Sequence, residues 1–470
     1  MSFISLPAQV YIKLDAKCYE QWARILLPAA GIIKIDVIVK ERFAMVEALP
    51  FQALMYDLET IPDLSSVICP PYDVISDNLR NELYEKDSFN IVRLEYSKEL
   101  GSNEDRYDRA AQDLQDWIEQ GILKSTKQAK FYLLTQSYID AYGAERVRKV
   151  LMARVRLEKF SEGGVLPHEF TIPKAKKDRL DLLTKCATNF SPIMAVYRDS
   201  SGRVNQVLNS ERVKNSVLTS GVIADEGEFS LVEIVEPEDI GSITDAFSDI
   251  PVLIADGHHR YETALEYSLV SGATGARYVM MGLIALDDPG LDIQGYHRVV
   301  SGITEDTLTA LLDSVKENFE EYRSINLPDD ISLRARELQS SLVSPDRTKW
   351  DVILLHSSGN VSFLQAREDR IQGNRLGKLP IRLLEECLEA VTQKGALPVS
   401  PSVDYEHDVE SAVARVSNSD DDSAVGFIMG SLGVDLFEEV VMSEGRLPRK
   451  STYFYPKLPA GVVMYPLWSD

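Results

Sequence analysis

The residues best suited to chemistry in this sequence form the run Asp256 to Arg260, which reads Asp-Gly-His-His-Arg. An apolar run at 252–255 predicts a buried strand before it, and the spacing of apolar residues after it predicts a helix. A helix N-terminus presents unpaired backbone N–H groups and positive dipole charge, while glycine admits a ligand and arginine adds a planar donor fork. The turn therefore predicts an anion site, with a structural turn bearing solvated histidines as the alternative.

A second polar cluster follows Pro167, where His168 and Glu169 lie side by side on a predicted loop. The sequence excludes a metallopeptidase site, because no second histidine follows four residues later on a helix. Glu169 remains a candidate general base or magnesium ligand. The cations that follow are candidate phosphate partners, or simply part of a solvated charged loop: Lys174, Lys176, Lys177 and Arg179.

A third cluster lies near the C-terminus, where a basic and aromatic segment spans 445–457 in a chain that is otherwise acidic. Local basicity of this kind favours an anion site, although the cations could instead pair with acidic side chains elsewhere. The candidate ligand residues in this segment are Lys450, Ser451, Thr452 and Lys457. A further carboxylate candidate, Asp73, lies on a rigid corner after Pro70 and Pro71.

The composition of the chain limits the kinds of ligand and location that fit these clusters. The chain has 470 residues, is 44% hydrophobic and carries a formal charge of −23, which disfavours general binding to nucleic acid. Its four cysteines are far apart and form no Cys-x-x-Cys pair, so a reducing, cytoplasmic location is expected. No apolar run reaches the roughly 18 residues that a membrane span needs, and we expect a soluble protein.

The elements that must position the clusters alternate between helical and strand patterns, which predicts an α+β fold of mixed sheets and helices. We expect a region 45–250 and a region 251–470, which could also form a single unit, after an N-terminal extension at 1–44. The patterns predict strands over Ile91–Leu94 and Tyr278–Leu286, and helices over Asn103–Gln120 and Ile331–Leu342.

Four motifs together resemble the family catalogued as domain of unknown function 1015. In chain order they are Pro70–Ser76, Leu166–Thr171, Ala255–Ala264 and Pro448–Lys457. The resemblance covers roughly residue 45 to the end of the chain. Residues 1–44 lie outside it, and we interpret them as an appended segment or an upstream mis-assigned start.

A second resemblance is local. The strand, the Asp-Gly-His-His-Arg turn and the following helix with Ala264 are similar to the nucleotide phosphate motif of the ParB and sulfiredoxin superfamily, which includes free serine kinases. This resemblance implies a ParB/sulfiredoxin-like strand-turn-helix phosphate site. The groups that it implies at the β-phosphate of a nucleotide are the backbone of Gly257 and His258 with the side chains of His259 and Arg260.

Two hypotheses follow for function. The first is a kinase that uses ATP or ADP with Mg²⁺ to phosphorylate the hydroxyl of a free amino acid, with serine as the best guess. Its candidate catalytic residues are Asp256, Glu169, His168 and Asp73, and its magnesium ligands are Glu169 and Asp256. The second is a nucleotide-binding regulatory module without transfer chemistry. The expected partners are a nucleotide and a small hydroxylated substrate, not a membrane or nucleic acid, and a homodimer is compatible with either hypothesis.

Overall fold

The computed structural model describes residues 46–99, 105–171, 173–223, 226–342, 351–371, 379–392, 402–418 and 424–468. The predicted extension at 1–44 lies outside these residues. Met45–Asp470 forms one compact unit, so the expected boundary near residue 250 falls inside it. Within the described ranges, no helix is long and apolar enough to cross a membrane.

The described ranges contain thirteen α-helices. They are α1 (Asp77–Lys86), α2 (Val92–Glu95), α3 (Arg106–Glu119), α4 (Pro173–Cys186), α5 (Arg203–Leu208), α6 (Glu211–Lys214), α7 (Pro237–Phe247), α8 (His258–Ser271), α9 (Glu305–Asn318), α10 (Ile331–Leu342), α11 (Pro380–Thr392), α12 (Val409–Ser417) and α13 (Val434–Glu444). Short 3-10 helices span Leu64–Ser66, Tyr72–Val74, Phe160–Glu162 and Gly275–Arg277.

The strands of the same ranges are mostly short. They are β1 (Ala48–Leu49), β2 (Leu54–Tyr56), β3 (Leu123–Ser125), β4 (Phe131–Ile139), β5 (Glu145–Arg156), β6 (Val165–Pro167), β7 (Thr188–Asn189), β8 (Ile193–Tyr197), β9 (Val217–Ile223), β10 (Gly227–Ile234), β11 (Val252–Asp256), β12 (Tyr278–Ala285), β13 (Asp292–Gln294), β14 (His297–Ser301), β15 (Phe319–Asn326), β16 (Val352–His356), β17 (Asn360–Ala366), β18 (Ser402–Glu406), β19 (Val425–Met429), β20 (Tyr453–Tyr455) and β21 (Tyr465–Pro466).

The larger sheet has the strand order β6-β11-β8-β12-β5-β4-β10-β9, and β1 adds to β5. It is mixed, because β11 runs parallel to β6 and β12 runs parallel to β8 while its other pairs are antiparallel. Its strands β8 and β12 are almost entirely buried, as expected for central strands covered on both faces. The predicted α+β class with mixed sheets is confirmed.

A second sheet has the order β15-β17-β16-β19-β14-β18 and is antiparallel throughout. Helices α10 and α12 pack on it around a small hydrophobic cluster of their own that includes Leu338, Phe363 and Val413. The other face of this sheet joins the main core, so the two sheets share one continuous apolar interior through residues such as Phe427.

The sheet topology brings the ends of two strands together. Strands β6 and β11 are parallel neighbours, so the residues that follow them emerge at the same edge of the sheet. His168 follows β6, and Asp256 is the last residue of β11. The second and first polar clusters therefore meet at one sheet edge.

Strand β20 holds the C-terminal segment in the fold. It pairs with β13, so Phe454 lies opposite Ile293 and is fully buried. The guanidinium of Arg148, itself completely buried, donates to the carbonyl oxygens of Tyr455 (3.0 Å) and Pro456 (2.6 Å). These contacts fix the course of the chain immediately before Lys457.

Candidate anion site at the start of helix α8

The turn between β11 and α8 has the geometry of an anion-binding helix N-terminus. Gly257 adopts the left-handed conformation with φ +93°, and the first intrahelical bond runs from the N–H of Tyr261 to the carbonyl of Gly257 (3.0 Å). The N–H groups of the three residues before Tyr261 therefore have no partner within the helix. Backbone N–H groups at a helix N-terminus, with the helix dipole, attract negative charge.

Glycine is required at 257 for two reasons. The positive φ strains any residue with a side chain, and a Cβ there would meet the guanidinium of Arg260 at 3.0 to 3.2 Å. Arg260 therefore lies directly against the glycine that begins its own helix. The tight turn and the position of the arginine depend on each other.

Asp256 lies between two cations. Its Oδ2 accepts from Arg260 at 2.8 Å, and its Oδ1 is bonded to Nζ of Lys457. Burial opposes ionisation of Asp256, but Lys457 and Arg260 together hold the pKa of its carboxyl well below the usual range. Two positive side chains against one carboxylate leave this group of three with a net charge of +1.

Arg260 is also anchored by the rest of the fold. Its second terminal nitrogen donates to the Ser191 hydroxyl at 2.9 Å and to the Pro192 carbonyl at 2.7 Å. Ser191 in turn donates to Glu95, a fully buried carboxylate whose pKa is raised by burial. Three protein acceptors thus hold Arg260 in one orientation, and a phosphate contact by this side chain remains a prediction.

The two buried histidines of the site are held as neutral rings. His168 Nδ1 lies 2.6 Å from the Ile254 carbonyl and must donate to it, so its Nε2 accepts from the Thr452 hydroxyl at 2.9 Å. His258 Nε2 accepts from the backbone N–H of His168 at 3.1 Å. Burial lowers the pKa of both rings. His168 is 1% exposed with both nitrogens engaged, which suits support of the site better than proton transfer to a ligand.

The C-terminal cluster joins the second cluster through backbone contacts. The N–H of Leu447 donates to the His168 carbonyl at 2.8 Å, and the N–H of Lys450 donates to Glu169 Oε1 at 3.1 Å. Lys450 itself is exposed, with its Nζ 3.3 Å from the hydroxyl of Tyr296. Unlike Lys450, Ser451 is buried and its hydroxyl donates to the Pro448 carbonyl, so it is turned into the protein.

Asp73 reaches the same region from the first motif. Burial lowers the pKa of Arg260, but Asp256 and then Asp73 raise it. Burial lowers the pKa of His259, and Asp73 and Glu169 are among the carboxylates that oppose this, so the charges of both reach the start of α8. Asp73 is exposed and forms no hydrogen bond or ion pair with any residue that the structure describes. It is the candidate carboxylate with both oxygens available.

The described cations that follow Glu169 are each paired with a carboxylate of the chain. Lys176 pairs with Glu262 at 2.6 Å and Lys177 with Asp181 at 2.8 Å. Arg179 contacts Asp178 at 2.5 Å and stacks on the Tyr72 ring at 3.9 Å. The side chain of Lys174 lies outside the part of the chain that the structure describes. For the three that are described, the alternative of a charged segment with ordinary ion pairs fits the contacts.

Several residues of the site could not be nominated from the sequence. Arg148 orients the segment before Lys457, while Tyr453 offers its ring to Lys457 Nζ at 4.8 Å. Tyr296 contacts Lys450, and Glu95 holds Ser191. The one available signal was the tyrosine and arginine content of the sequence at 296–298 and 453–455, which predicted no particular partner.

The described side chains include no group of three or more His, Cys, Asp or Glu that could hold a metal ion. Both oxygens of Asp256 are taken by cations, whereas Asp73 and Glu169 retain free oxygens. A divalent ion at this site would therefore need most of its ligands from a bound phosphate and water, as Mg²⁺ commonly does.

The fold is that of an α+β protein, with a candidate anion site at a strand-turn-helix junction. The chain belongs to the family described as protein of unknown function (DUF1015), whose sequence profile matches residues 48–386. No curated protein matches it significantly.

The solved structures with some likeness to this chain share little sequence with it. They include a free serine kinase in complex with AMP (14% identity, 62% of this chain and 83% of that chain, TM-score 0.31). A conserved hypothetical protein from Pyrococcus furiosus has 13% identity, 66% and 93% coverage and a TM-score of 0.33. SbnI from Staphylococcus aureus, with a C-terminal truncation, has 11% identity, 64% and 82% coverage and a TM-score of 0.32.

Proposed function

We propose that this protein is a nucleotide-dependent phosphotransferase that acts on the hydroxyl of a small molecule, with free serine as the first acceptor to test. The observation that carries the proposal is the start of α8. The N-terminus of this helix begins directly after Asp256 and Gly257, and Asp256, Arg260 and Lys457 together carry a net positive charge. A nucleotide phosphate supplies the negative charge that this arrangement favours.

Phosphoryl transfer places particular demands on such a site. Its transition state spreads negative charge over phosphoryl oxygens, so catalysis is mainly positioning and electrostatic stabilisation. Under this proposal the N–H groups at the start of α8, with His259 and Lys457, bind phosphate oxygens, and Lys450 is a secondary contact at the exposed rim.

A carboxylate must also orient the acceptor hydroxyl and receive its proton. Asp256 is poorly suited, because two cations stabilise its ionised form and thereby weaken it as a base. Asp73 and Glu169 are better placed, since both have free oxygens and both act on His259. The same two carboxylates would hold Mg²⁺, which supplies further charge neutralisation when it binds with the nucleotide.

Phosphotransfer can be tested with the purified full chain, Mg²⁺ and ATP or ADP. We expect phosphoserine from serine, detected by mass spectrometry, and its loss in Arg260→Ala. Arg260→Lys tests whether the loss comes from misfolding, since it retains the positive charge beside Asp256. Arg109→Ala is the matched control, because Arg109 is half-exposed and pairs with Asp113 on α3.

Two outcomes would count against the kinase. The absence of a phosphorylated product across serine, threonine, homoserine and simple alcohols would overturn it. If the chain binds nucleotide tightly but phosphorylates none of these acceptors, its function would instead be that of the regulatory module without transfer chemistry.

A further inference from the structure

A pocket that shares no lining residue with the start of α8 lies between the tip of the β4–β5 hairpin and the six-stranded sheet. It has a volume of about 240 Å³, and its walls include Asp140, His297, His407, Asp408 and Tyr455. A single buried water needs only about 10–15 Å³ on a comparable measure. The pocket is therefore large enough for a small organic molecule.

His297 presents a hydrogen-bond donor to this pocket. Its side chain is 3% exposed, and its Nδ1 accepts from the backbone N–H of Met429 at 3.1 Å. Burial lowers the pKa of His297 to about 3, so the ring is neutral and its proton is on Nε2. That Nε2 has no hydrogen-bond partner among the described residues.

Asp408, an exposed residue at the edge of the same pocket, supplies negative charge to it. One of its oxygens caps α12 by accepting from the N–H of Ser411 at 2.7 Å. The other has no hydrogen bond or ion pair with a described residue, and the helix N-terminus offsets only about half a charge. Asp140 differs, because its oxygens accept from two backbone N–H groups and from Arg146 at 2.9 Å.

The remaining wall is aromatic. The His407 ring lies 4.6 Å from the Tyr453 ring at a shallow angle of 33°, and Tyr455 lines the pocket beside them. Aromatic faces beside a carboxylate are a favourable surface for an organic ammonium group. Tyr453, which contacts His407, also lies 4.8 Å from Lys457 Nζ.

We propose that this pocket binds a small molecule with an ammonium group and a neighbouring uncharged hydrogen-bond acceptor. The ammonium group pairs with the free oxygen of Asp408, and the acceptor receives the Nε2–H of His297. The chain's net charge of −23 favours the approach of such a cation. This ligand site is separate from the proposed phosphotransfer, so the two can fail independently.

The test is calorimetric titration of the full chain without nucleotide, using ethanolamine and tyramine as probes. Ethylene glycol and ethylphenol are the controls that lack the ammonium group. We expect at least one amine to bind with a Kd below about 10 mM and at least tenfold more tightly than its control.

Two variants locate the binding. Asp408→Asn keeps the helix cap but removes the charge, and it should abolish the preference for the amine. Asp404→Asn is the matched control, since Asp404 lies on the neighbouring strand and pairs with Arg415, and it should bind as the unaltered chain does. His297→Asn keeps an acceptor for the Met429 N–H but removes the Nε2–H, and it should weaken the amine at least threefold.

The proposal is overturned if neither amine binds by about 10 mM, or if amine and control bind equally. It is equally overturned if Asp408→Asn, folded as judged by circular dichroism, binds the amine with unchanged affinity.

Discussion

Lys457 Nζ is bonded to Asp256 Oδ1 although 201 positions separate the two residues in the chain. Asp256 ends strand β11, and Lys457 follows strand β20 near the C-terminus. Their contact joins the first and third polar clusters in one site. Because Arg260 shares the same carboxylate, the positive charge left over lies at the start of α8.

Replacement of Lys457 should destabilise the fold. Lys457→Met leaves Asp256 with one cation in a site where only 14% of its side chain is exposed, and breaking a buried pair typically costs about 3 kcal/mol or more. Lys450→Met is the control, because Lys450 is exposed and should change the unfolding free energy by less than about 0.5 kcal/mol. Urea unfolding measures both variants. Equal stability of the two would contradict a structural role for the Asp256–Lys457 contact.

The Thr452 hydroxyl should stabilise the fold through its hydrogen bond to His168. Thr452→Val leaves Nε2 of the buried ring without a donor, which should cost about 1–3 kcal/mol of unfolding free energy. Thr452→Ser keeps the hydroxyl and should recover most of that loss. Proton–nitrogen NMR on the unaltered chain should find His168 protonated at Nδ1 only. A proton on Nε2 would show that the assigned hydrogen bonds are wrong.

Gly257 and Gly272 allow a comparison between the two ends of α8. Both have positive φ, so replacement by alanine strains the backbone by about 1–2 kcal/mol at either position. At Gly257 the new Cβ also meets Arg260, whereas Gly272 faces open space. Denaturant unfolding should therefore show a larger loss for Gly257→Ala. A smaller loss than for Gly272→Ala would mean that Arg260 does not pack against this glycine.

The buried histidines predict how stability changes with pH. The pKa values of His168, His258 and His297 are all lowered by burial, so the unfolded chain binds more protons than the folded chain below about pH 6.5. Their contribution to stability is complete above that pH and is lost as the pH falls towards the folded pKa values. Each contributes a slope of up to about 1.4 kcal/mol per pH unit.

Urea unfolding between pH 7.5 and 5 measures this slope, with the pH values chosen around the ordinary histidine pKa of about 6.5. His297→Asn should make the slope shallower, because its pKa of about 3 keeps the folded ring neutral across the whole interval. An unchanged slope in this variant would mean that His297 is protonated in the folded protein.

Replacement of Asp73 or Glu169 should affect the phosphotransfer step more than nucleotide binding. If the protein is a phosphotransferase, either Asp73→Asn or Glu169→Gln should lower kcat at least about 100-fold, because loss of a general base has effects of this size. Measured without Mg²⁺, the Kd for the nucleotide should stay within about threefold, since neither side chain is part of the positive group at α8. Full kcat in both variants would remove carboxylate activation of the acceptor from the account.

Sequence patterns predicted the regular elements well where the apolar pattern repeated over many residues. Helix α10 spans Ile331–Leu342 as predicted, and α3 lies within the predicted Asn103–Gln120. Short apolar runs were less informative. The predicted strand at Ile91–Leu94 is wrong, because Val92–Glu95 forms a single helical turn. In a run of only four residues, the apolar pattern of a strand, with a period of 2, cannot be told from that of a helix, with a period of 3.6.

The candidate site was predictable as a set of motifs but not as an arrangement. The residue types around Asp256, Glu169 and Lys450 indicated anion chemistry, and each motif carried its own local signal. Their meeting depends on the parallel pairing of β6 with β11 and on Arg148, which holds the chain 308 positions away at Pro456. No local pattern specifies contacts over such separations. For the same reason, the engagement of both Asp256 oxygens could not be foreseen.

The most direct test of the account is the affinity of the purified full chain for ADP compared with adenosine, measured by calorimetric titration. If the start of α8 binds phosphate, ADP should bind with a Kd in the micromolar range, about 1–100 μM, and adenosine at least about 100-fold more weakly. Equal affinities for ADP and adenosine, or no binding of ADP at millimolar concentration, would contradict a phosphate site at this turn.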